Sequence, residues 1–120
     1  MLGDQSHHTI DYVEIAVDDV EAAKAFYGSA FGWSFADYGP EYAGIRIGDS
    51  EVGGVTTTSE VRPGGPLVIL YSDDLEGSVE SVMAAGGTIV KPIYSFPGGR
   101  RFHFADPAGN ELAVWSELSP

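Results

Sequence analysis

Three side chains in this sequence belong to the types that carry acid–base or metal chemistry: His103, Glu14 and Glu111. An imidazole titrates near neutral pH, and a partly desolvated carboxylate acquires a raised pKa that suits proton transfer. We therefore expect these three residues to be the catalytic groups of a small-molecule site. The same residue types bind divalent ions, so a metal site built from them is an alternative, although one histidine and two carboxylates on separate segments form a loose pattern.

Five further residues could hold a ligand beside these groups. Aromatic rings supply apolar walls, and guanidinium groups bind anions. The predicted walls are Tyr12, Tyr71 and Trp115, and the predicted anion-binding groups are Arg46 and Arg101. The remaining histidines, His7 and His8, lie in a polar segment ahead of the first predicted strand, where we expect a frayed terminus.

The sequence contains an internal repeat, and the predicted strands and helices of its two copies determine where these residues lie. The segment Tyr12-Val-Glu-Ile-Ala-Val-Asp-Asp-Val-Glu21 aligns with Leu67-Val-Ile-Leu-Tyr-Ser-Asp-Asp-Leu-Glu76. In each copy an extended run leads into an Asp-Asp pair that can cap a helix, and Gly32 or Gly86-Gly87 ends that helix. Helical spacing predicts the core-facing residues Val20, Ala23, Phe26, Tyr27 and Ala30 in the first copy, and Leu75, Val79, Val82 and Met83 in the second.

Three short extended runs separated by turn residues follow each helix, so each copy reads as βαβββ. The runs cover residues 33–38, 42–47 and 52–58 in the first copy and 88–94, 101–105 and 111–115 in the second. The first module covers about residues 10–61, the second about residues 67–117, and the Pro- and Gly-rich linker 62–66 joins them. We predict a single domain, residues 1–120, of the α+β class, in which two tandem modules form a curved mixed sheet around a cleft.

Alternation along the strands separates a helix-covered face from an open face. In the first strand of each module, the residues expected under the helix are Val13, Ile15 and Val17, and Val68 and Leu70. Their neighbours, including Tyr12, Glu14 and Tyr71, then lie on the open face.

The same alternation assigns the residues of the hairpins to the helix-covered face or to the open face. A turn at residues 106–110 pairs Ala105 with Glu111, His103 with Ala113 and Arg101 with Trp115. It leaves four residues in the core: Phe102, Phe104, Leu112 and Val114. The hairpin at residues 48–51 places Ile45 and Ile47 in the core and Arg46 on the open face.

The open faces therefore carry residues that are too polar for packing alone and too aromatic for an ordinary wetted surface. They are Tyr12, Glu14, Arg46, Tyr71, Arg101, His103, Glu111 and Trp115. Aromatic walls with a few convergent charges are typical of a small-molecule pocket. The alternative is that these side chains pair with one another or lie at a dimer seam.

Three motifs resemble the vicinal-oxygen-chelate superfamily, which contains glyoxalases, bleomycin-resistance proteins and extradiol dioxygenases. They are Val13-Glu-Ile-Ala-Val-Asp-Asp-Val-Glu-Ala-Ala-Lys-Ala-Phe-Tyr27 running into Phe31-Gly-Trp33, then Ala84-Ala-Gly-Gly87, and finally Phe102-His-Phe-Ala-Asp-Pro-Ala-Gly-Asn-Glu-Leu112. The resemblance covers about residues 10–117 and is most similar to the glyoxalase-like subgroup related to lactoylglutathione lyase. It implies paired βαβββ modules around a cleft and a homodimer.

In metal-dependent members, the resemblance also implies a divalent ion held by histidine and glutamate side chains. The positions of those ligands fall on Tyr12, Leu67 and Ala113, with the fourth near Gly53 or Val55. These residues cannot bind a hard or borderline divalent ion. We therefore expect no metal at the usual positions, no cofactor, and neither glyoxalase I nor dioxygenase activity.

Three functions remain open. The first is metal-independent binding or acid–base chemistry on a small molecule; as an enzyme, the protein would be a lyase- or isomerase-like member. The second is sequestration of a cationic drug without chemistry, as in the bleomycin-resistance branch. The third is a metal-dependent lyase whose site has moved to His103, Glu14 and Glu111.

The amino-acid composition indicates which classes of binding partner to expect. The chain has 18 acidic and 6 basic residues, a net charge of −12, which repels phosphate backbones and anionic headgroups. We expect neither nucleic acid nor membrane as a partner, and we find no signal-peptide pattern and no long apolar run. Because the chain has no cysteine, thiolate chemistry and disulfides are excluded, and a cytoplasmic location is expected.

Overall fold

The computed structural model describes residues 6–61, 65–107 and 109–117, so the predicted linker 62–66 lies partly outside them. The elements are β1 (Ile10–Ala16), α1 (Val20–Phe31), β2 (Ser34–Asp37), β3 (Tyr42–Ile47), β4 (Ser50–Thr56), β5 (Leu67–Tyr71), α2 (Leu75–Ala84), β6 (Thr88–Phe96), β7 (Gly99–Ala105) and β8 (Glu111–Glu117). The order confirms the predicted α+β class and its two βαβββ modules. Strand ends differ from the expected ranges by two residues or fewer.

The chain forms two compact units. The first contains the described residues from Tyr12 to Pro66, and the second contains those from Leu67 onward together with residues 6–11. The strand order is β2-β3-β4-β1 in the first unit and β5-β8-β7-β6 in the second. Each set is mixed, because β1 with β4 and β5 with β8 run parallel, whereas the hairpin pairs are antiparallel.

Both helices begin at the second aspartate of the repeated pair. The Asp19 side chain accepts hydrogen bonds from the amides of Glu21 and Ala22 at 3.0 and 3.4 Å, and Asp74 accepts one from the amide of Gly77 at 3.1 Å. These carboxylates satisfy amides that have no partner within the helix. At the other end of α1, Gly32 adopts a left-handed conformation, with φ of 73°, and its amide donates to the Gly28 carbonyl.

Each helix covers one face of its own strands, as the alternation predicts. Around α1 the buried core contains Val20, Ala43, Ile45 and Val55, with Ile15, Val17, Ala23 and Phe35 packed against it. Around α2 it contains Leu75, Phe102 and Val114, with Leu70, Val79, Val82, Ile89, Ile93 and Phe104 against it. The expected core residues Val13, Val68 and Leu112 are half-buried.

Four expected core residues are instead exposed. Ile47 is 66% exposed because it pairs with Ser50 at the tip of the β3–β4 hairpin, next to an irregularity in the register beside Arg46. Phe26, Ala30 and Met83 are also exposed.

Four rings around the end of α1 form an exposed aromatic cluster: Phe26, Tyr27, Phe31 and Trp33. Tyr27 and Trp33 stack with their centroids 4.7 Å apart, and the two phenylalanines meet their neighbours edge-on or tilted. Phe26 and Phe31 are 59% and 64% exposed, so these rings pack mainly against one another. Among the described helices, none is long and apolar enough to cross a membrane.

Candidate functional site

In the first unit, three tyrosines and two glutamates form one hydrogen-bonded group, here called the tyrosine–glutamate cluster: Tyr12, Glu14, Tyr38, Tyr42 and Glu51. The Tyr12 hydroxyl lies 2.9 Å from that of Tyr42 and donates to Glu51 Oε2 at 3.0 Å. Tyr42 donates to Glu14 Oε2 at 2.8 Å, and Tyr38 donates to Glu51 Oε1 at 2.5 Å. Because Glu14 and Glu51 are only 6% and 5% exposed, phenolic donors replace part of their hydration.

Two glycines make room for this cluster. A Cβ atom at Gly44 would lie 2.3 Å from Glu51 Oε1, and one at Gly54 would lie 2.3 Å from the Tyr42 hydroxyl. These glycines face each other across the β3–β4 pair. The missing side chains therefore leave the space that the buried carboxylate and phenol occupy.

The buried phenols of the cluster are held in their neutral form. Burial raises the pKa of Tyr42 well above its ordinary value, and the nearby Glu14 charge raises it further. Burial also raises the pKa of Tyr12, against an opposing effect of its hydrogen bond to Tyr42. Both residues therefore serve as hydrogen-bond donors over the physiological pH range, and their hydrogen bonds orient the two carboxylates.

Of the predicted residues, the structure brings Tyr12 and Glu14 into this cluster and places Arg46 beside it. Arg46 faces Glu51 in the strand register, and its guanidinium donates to the Gly48 carbonyl at 3.3 Å. Sequence reasoning missed Tyr38, Tyr42 and Glu51. Tyr42 could have been found, because it precedes Arg46 by four residues in the same strand and so shares its face.

In the second unit, a linear hydrogen-bonded chain connects Glu111, His103 and Tyr94. Glu111 Oε2 lies 2.9 Å from His103 Nδ1, and His103 Nε2 lies 2.8 Å from the Tyr94 hydroxyl. Arg101 Nε also donates to that hydroxyl, and its guanidinium carbon lies 5.6 Å from the Tyr94 ring centroid. His103 is 4% exposed, whereas Glu111, Tyr94 and Arg101 are half-buried, so the imidazole lies in the interior and both ends of this hydrogen-bonded chain lie nearer the surface.

The strand register explains this arrangement. Ala105 pairs with Glu111, His103 with Ala113 and Arg101 with Trp115, as predicted from the turn at residues 106–110. The Asp106 amide donates to the Asn110 carbonyl at 2.9 Å and closes that turn; Ala108 lies outside the described residues. Tyr94, which sequence reasoning missed, arrives from β6, where two register irregularities between Ile89 and Tyr94 break the simple alternation.

The buried surroundings of His103 favour its neutral form. Burial lowers its pKa below the ordinary value, and the positive charges of Arg101 and Lys91 lower it further. The hydrogen bond and charge of Glu111 act in the opposite direction, but burial is the larger effect. The arrangement therefore provides an uncharged imidazole, which can accept a proton, next to a carboxylate that stabilises the charged product.

Aromatic rings lie beside the hydrogen-bonded chain of Glu111, His103 and Tyr94. Trp115 is buried, and its indole nitrogen donates to Asp11 Oδ2 at 2.9 Å. Tyr71 meets it edge-on, with ring centroids 5.2 Å apart, and Phe96 lies 6.2 Å from it. The Arg101 guanidinium also lies 5.7 Å from the Phe96 centroid, so the cation and the rings form one neighbourhood.

The expectation of a frayed segment at His7 and His8 is wrong. The His8 amide donates to the Tyr71 carbonyl at 2.7 Å, and its Nε2 lies 2.8 Å from Ser78 Oγ. His7 Nδ1 lies 3.0 Å from the amide nitrogen of Asp73 and 2.8 Å from its carboxylate. Backbone pairing beside β5 therefore holds this segment, which local composition does not reveal.

The positions of the family's metal ligands do not fit a metal ion. Tyr12 is a neutral phenol within the tyrosine–glutamate cluster, and Leu67 and Ala113 are buried apolar residues. A Cβ atom at Gly53 would lie 2.3 Å from the Val13 carbonyl oxygen, and Val55 is in the core. Within residues 6–61, 65–107 and 109–117, no group of three or more His, Cys, Asp or Glu side chains is placed to hold a metal ion.

Comparisons with known proteins agree with this architecture. Residues 9–114 match the family described as the Glyoxalase/Bleomycin resistance protein/Dioxygenase superfamily. The chain is 28% identical, over 89% of its length, to CFP32 of Mycobacterium bovis, which bears the name of a glyoxylase. It is 30% identical, over 88% of its length, to the anthracycline biosynthesis protein DauV of Streptomyces sp. (strain C5). The matches span only 45% and 40% of these relatives.

Solved structures share the fold. The Mn(II)-bound glyoxalase from Novosphingobium aromaticivorans superposes with a TM-score of 0.70 at 25% identity, covering 94% of this chain and 40% of that one. The methylmalonyl-CoA epimerase from Mycobacterium tuberculosis gives a TM-score of 0.70 at 16% identity, covering 99% and 94%, which shows the fold alone. With a family match over nearly its whole length, the chain belongs to the Glyoxalase/Bleomycin resistance protein/Dioxygenase superfamily.

Proposed function

We propose that this protein binds a small anionic molecule with an apolar part and performs acid–base chemistry on it without a metal ion. The observation that carries the proposal is the buried His103, which contacts Glu111 and is connected through Tyr94 to the Arg101 guanidinium. In this role His103 is the base, Glu111 stabilises its protonated form, and Arg101 binds the anionic group. Tyr71 and Trp115 supply the apolar wall. The reaction class is lyase- or isomerase-like.

The other predicted site residues, Tyr12, Glu14 and Arg46, lie in or beside the tyrosine–glutamate cluster of the first unit. Tyr12 and Tyr42 hold Glu51 and Glu14 in fixed orientations, which suits Glu14 as a second proton-transfer group and Tyr12 as a contact for polar atoms. Arg46 at the edge of the cluster is the second candidate anion-binding group. The motifs resemble those of the branch related to lactoylglutathione lyase, which supports membership of that branch, but the missing metal ligands argue against the activity of that enzyme.

A ligand screen with matched variants tests this function. The purified protein, stripped with chelator, is screened against aromatic and aliphatic carboxylates by thermal shift and calorimetry. We expect binding that survives chelation and weakens by about tenfold or more in Arg101→Ala, because a charge-assisted contact is lost. Arg100→Ala is the control, since Arg100 instead pairs with Glu76 on the surface at 2.7 Å. Binding that requires added metal, or is equal in the two variants, contradicts the proposal.

Drug sequestration is the second candidate. The net charge of −12 and the two buried glutamates among tyrosines favour a cationic aromatic ligand, and a relative is named for anthracycline biosynthesis. Expression of the chain should then protect growing cells against a bleomycin-type drug, and the protection should fall in Glu14→Gln. No protection at matched expression removes this candidate.

We also propose that the protein forms a homodimer. The exposed aromatic cluster at the end of α1 supports a contact surface, since exposed patches of this kind mark interfaces. The longer relatives, more than twice the matched length, have room for a second domain of the same size. Light scattering should give the mass of two chains, and Phe31→Asp should reduce it to one if the cluster forms the interface. A monomer at all concentrations contradicts the proposal.

A further inference from the structure

We propose that Tyr94 is the residue that exchanges a proton with the ligand, and that His103 receives this proton through Tyr94 instead of touching the ligand. The inference rests on the acid–base function proposed above and adds a residue that neither the sequence patterns nor the comparisons point to. Its basis is the position of the Tyr94 hydroxyl, which contacts both His103 Nε2 and Arg101 Nε.

The available donors determine where the protons lie. An arginine side chain can only donate, so the Tyr94 oxygen accepts from Arg101. The single phenolic proton is then free to be donated to His103 Nε2, 2.8 Å away. A carboxylate accepts, so the imidazole proton lies on Nδ1, facing Glu111 at 2.9 Å. When the imidazole is neutral, this arrangement of protons satisfies the three hydrogen bonds that join Arg101, Tyr94, His103 and Glu111.

Burial determines which residue a ligand can reach. His103 is only 4% exposed, and both of its ring nitrogens are already occupied by Glu111 and Tyr94. The residues at the two ends of the hydrogen-bonded chain, Glu111 and Tyr94, are both half-buried, and the Arg101 guanidinium lies at the Tyr94 end. A ligand whose anionic group binds Arg101 therefore meets the phenolic oxygen before the imidazole.

The proton-transfer step balances within these groups. The ligand's X–H bond breaks as a new O–H bond forms on Tyr94, while the original phenolic O–H bond breaks and an Nε2–H bond forms on His103. The electron pair of the broken bond stays on the ligand, whose negative charge is stabilised by Arg101. The positive charge of the imidazolium is stabilised by Glu111. Reversal of the same transfers returns the proton, on the same face of the ligand anion, either to the atom that lost it or to another atom that shares the negative charge; the second outcome is the chemistry of an isomerase.

This arrangement favours a ligand class. Arg101 would bind a carboxylate of the ligand, and the rings of Phe96 and Trp115 would contact an apolar or aromatic part of it. Tyr94 would react with an acidic hydrogen of the ligand. A hydrogen on carbon next to a carbonyl group is acidic enough to be removed by general base catalysis. Small aromatic 2-oxo acids combine these three features, and phenylpyruvate is a suitable probe.

The first test concerns the protons alone. Nitrogen-15 NMR of histidine-labelled protein should show His103 neutral, protonated on Nδ1, with Nε2 accepting a hydrogen bond. Tyr94→Phe should shift the Nε2 resonance toward that of a free acceptor, whereas the control Tyr27→Phe, which alters a ring stacked on Trp33, should not. His103 protonated on Nε2 in the wild-type protein, or no response to Tyr94→Phe, would overturn the relay.

The second test follows deuterium exchange at the methylene carbon of phenylpyruvate in heavy water, with the uncatalysed rate subtracted. Tyr94→Phe should lower protein-catalysed exchange by about 100-fold or more, while its affinity for phenylpyruvate changes by about twofold or less. Exchange in Tyr94→Phe at the wild-type rate overturns the role of Tyr94 and leaves the proposed function standing. Failure of the wild-type protein to bind any carboxylate in the screen overturns the proposed function, and this inference with it.

Discussion

Glu111 Oε2 lies 2.9 Å from His103 Nδ1 across the β7–β8 hairpin, and the two side chains belong to residue pairs that are separated in the strand register by one pair, Phe104 with Leu112. The contact orients the imidazole and fixes the position of its proton. Because His103 is buried, the pair forms a defined electrostatic unit, and its properties can be measured before any ligand is known.

The stability of the protein should depend on the titration of His103. Its pKa in the folded state lies below the ordinary value of 6.5, mainly because of burial. As the pH falls below 6.5, the unfolded chain binds a proton that the folded chain resists, so the free energy of unfolding decreases. Urea denaturation between about pH 7 and about pH 5 should show a larger loss for the wild-type protein than for His103→Gln. Identical losses would mean that His103 titrates normally.

Replacing Glu111 with Gln should lower the pKa of His103 further. The carboxylate is the group that raises this pKa against burial and against the charges of Arg101 and Lys91, and an amide keeps the size but not the charge. An NMR titration of the imidazole measures the change. Glu76→Gln, which alters the surface partner of Arg100, is the control and should leave the His103 titration in place. A higher pKa in Glu111→Gln contradicts the assigned contact.

Tyr42→Phe should destabilise the protein more than Tyr38→Phe. The Tyr42 hydroxyl bridges Glu14 and Tyr12 in a buried setting, and removing it leaves their polar atoms short of a partner, at a cost of about 1–3 kcal/mol. Tyr38 also donates to a glutamate, but it is 55% exposed and water can replace it, so we expect less than about 1 kcal/mol. Chemical denaturation compares the two. Equal decreases in the free energy of unfolding would show that burial of the hydroxyl group does not increase the cost of removing it.

Gly44→Ala should destabilise the protein by about 1–3 kcal/mol, because the added methyl group would overlap the buried Glu51 carboxylate. Gly28→Ala is the matched control. Gly28 lies within α1, and a Cβ atom there would be 3.6 Å from its nearest neighbour, the Trp33 carbonyl oxygen. Alanine favours a helix over glycine, so this variant should gain about 0.5–1 kcal/mol. Thermal and chemical denaturation should therefore give opposite signs for the two substitutions, and the same sign for both would contradict the packing described around Gly44.

Patterns of residues that are close together in the sequence were sufficient to predict the fold. The repeated Asp-Asp pairs predicted both helix starts, and Gly32 predicted the end of α1, because caps depend on residues close in sequence. The turn at residues 106–110 predicted the pairing of His103 with Ala113 and of Arg101 with Trp115, because a short hairpin sets its own register. Ile47 was placed wrongly because alternation states which face a residue occupies but not how far along the strand the helix covers it.

The sequence by itself determined the family, the two βαβββ modules and the loss of the family's metal ligands, since each depends on residue types at regular spacing. Only the tertiary structure brought Tyr94 to His103 and Glu51 to Tyr12. Register irregularities in β6 and β4 govern those contacts, and such irregularities arise from the packing of whole strands. The hairpin predicted that His103 and Glu111 lie on the same face, and the structure brings them into contact, while the hydroxyl that completes their hydrogen-bonded chain became visible only in three dimensions.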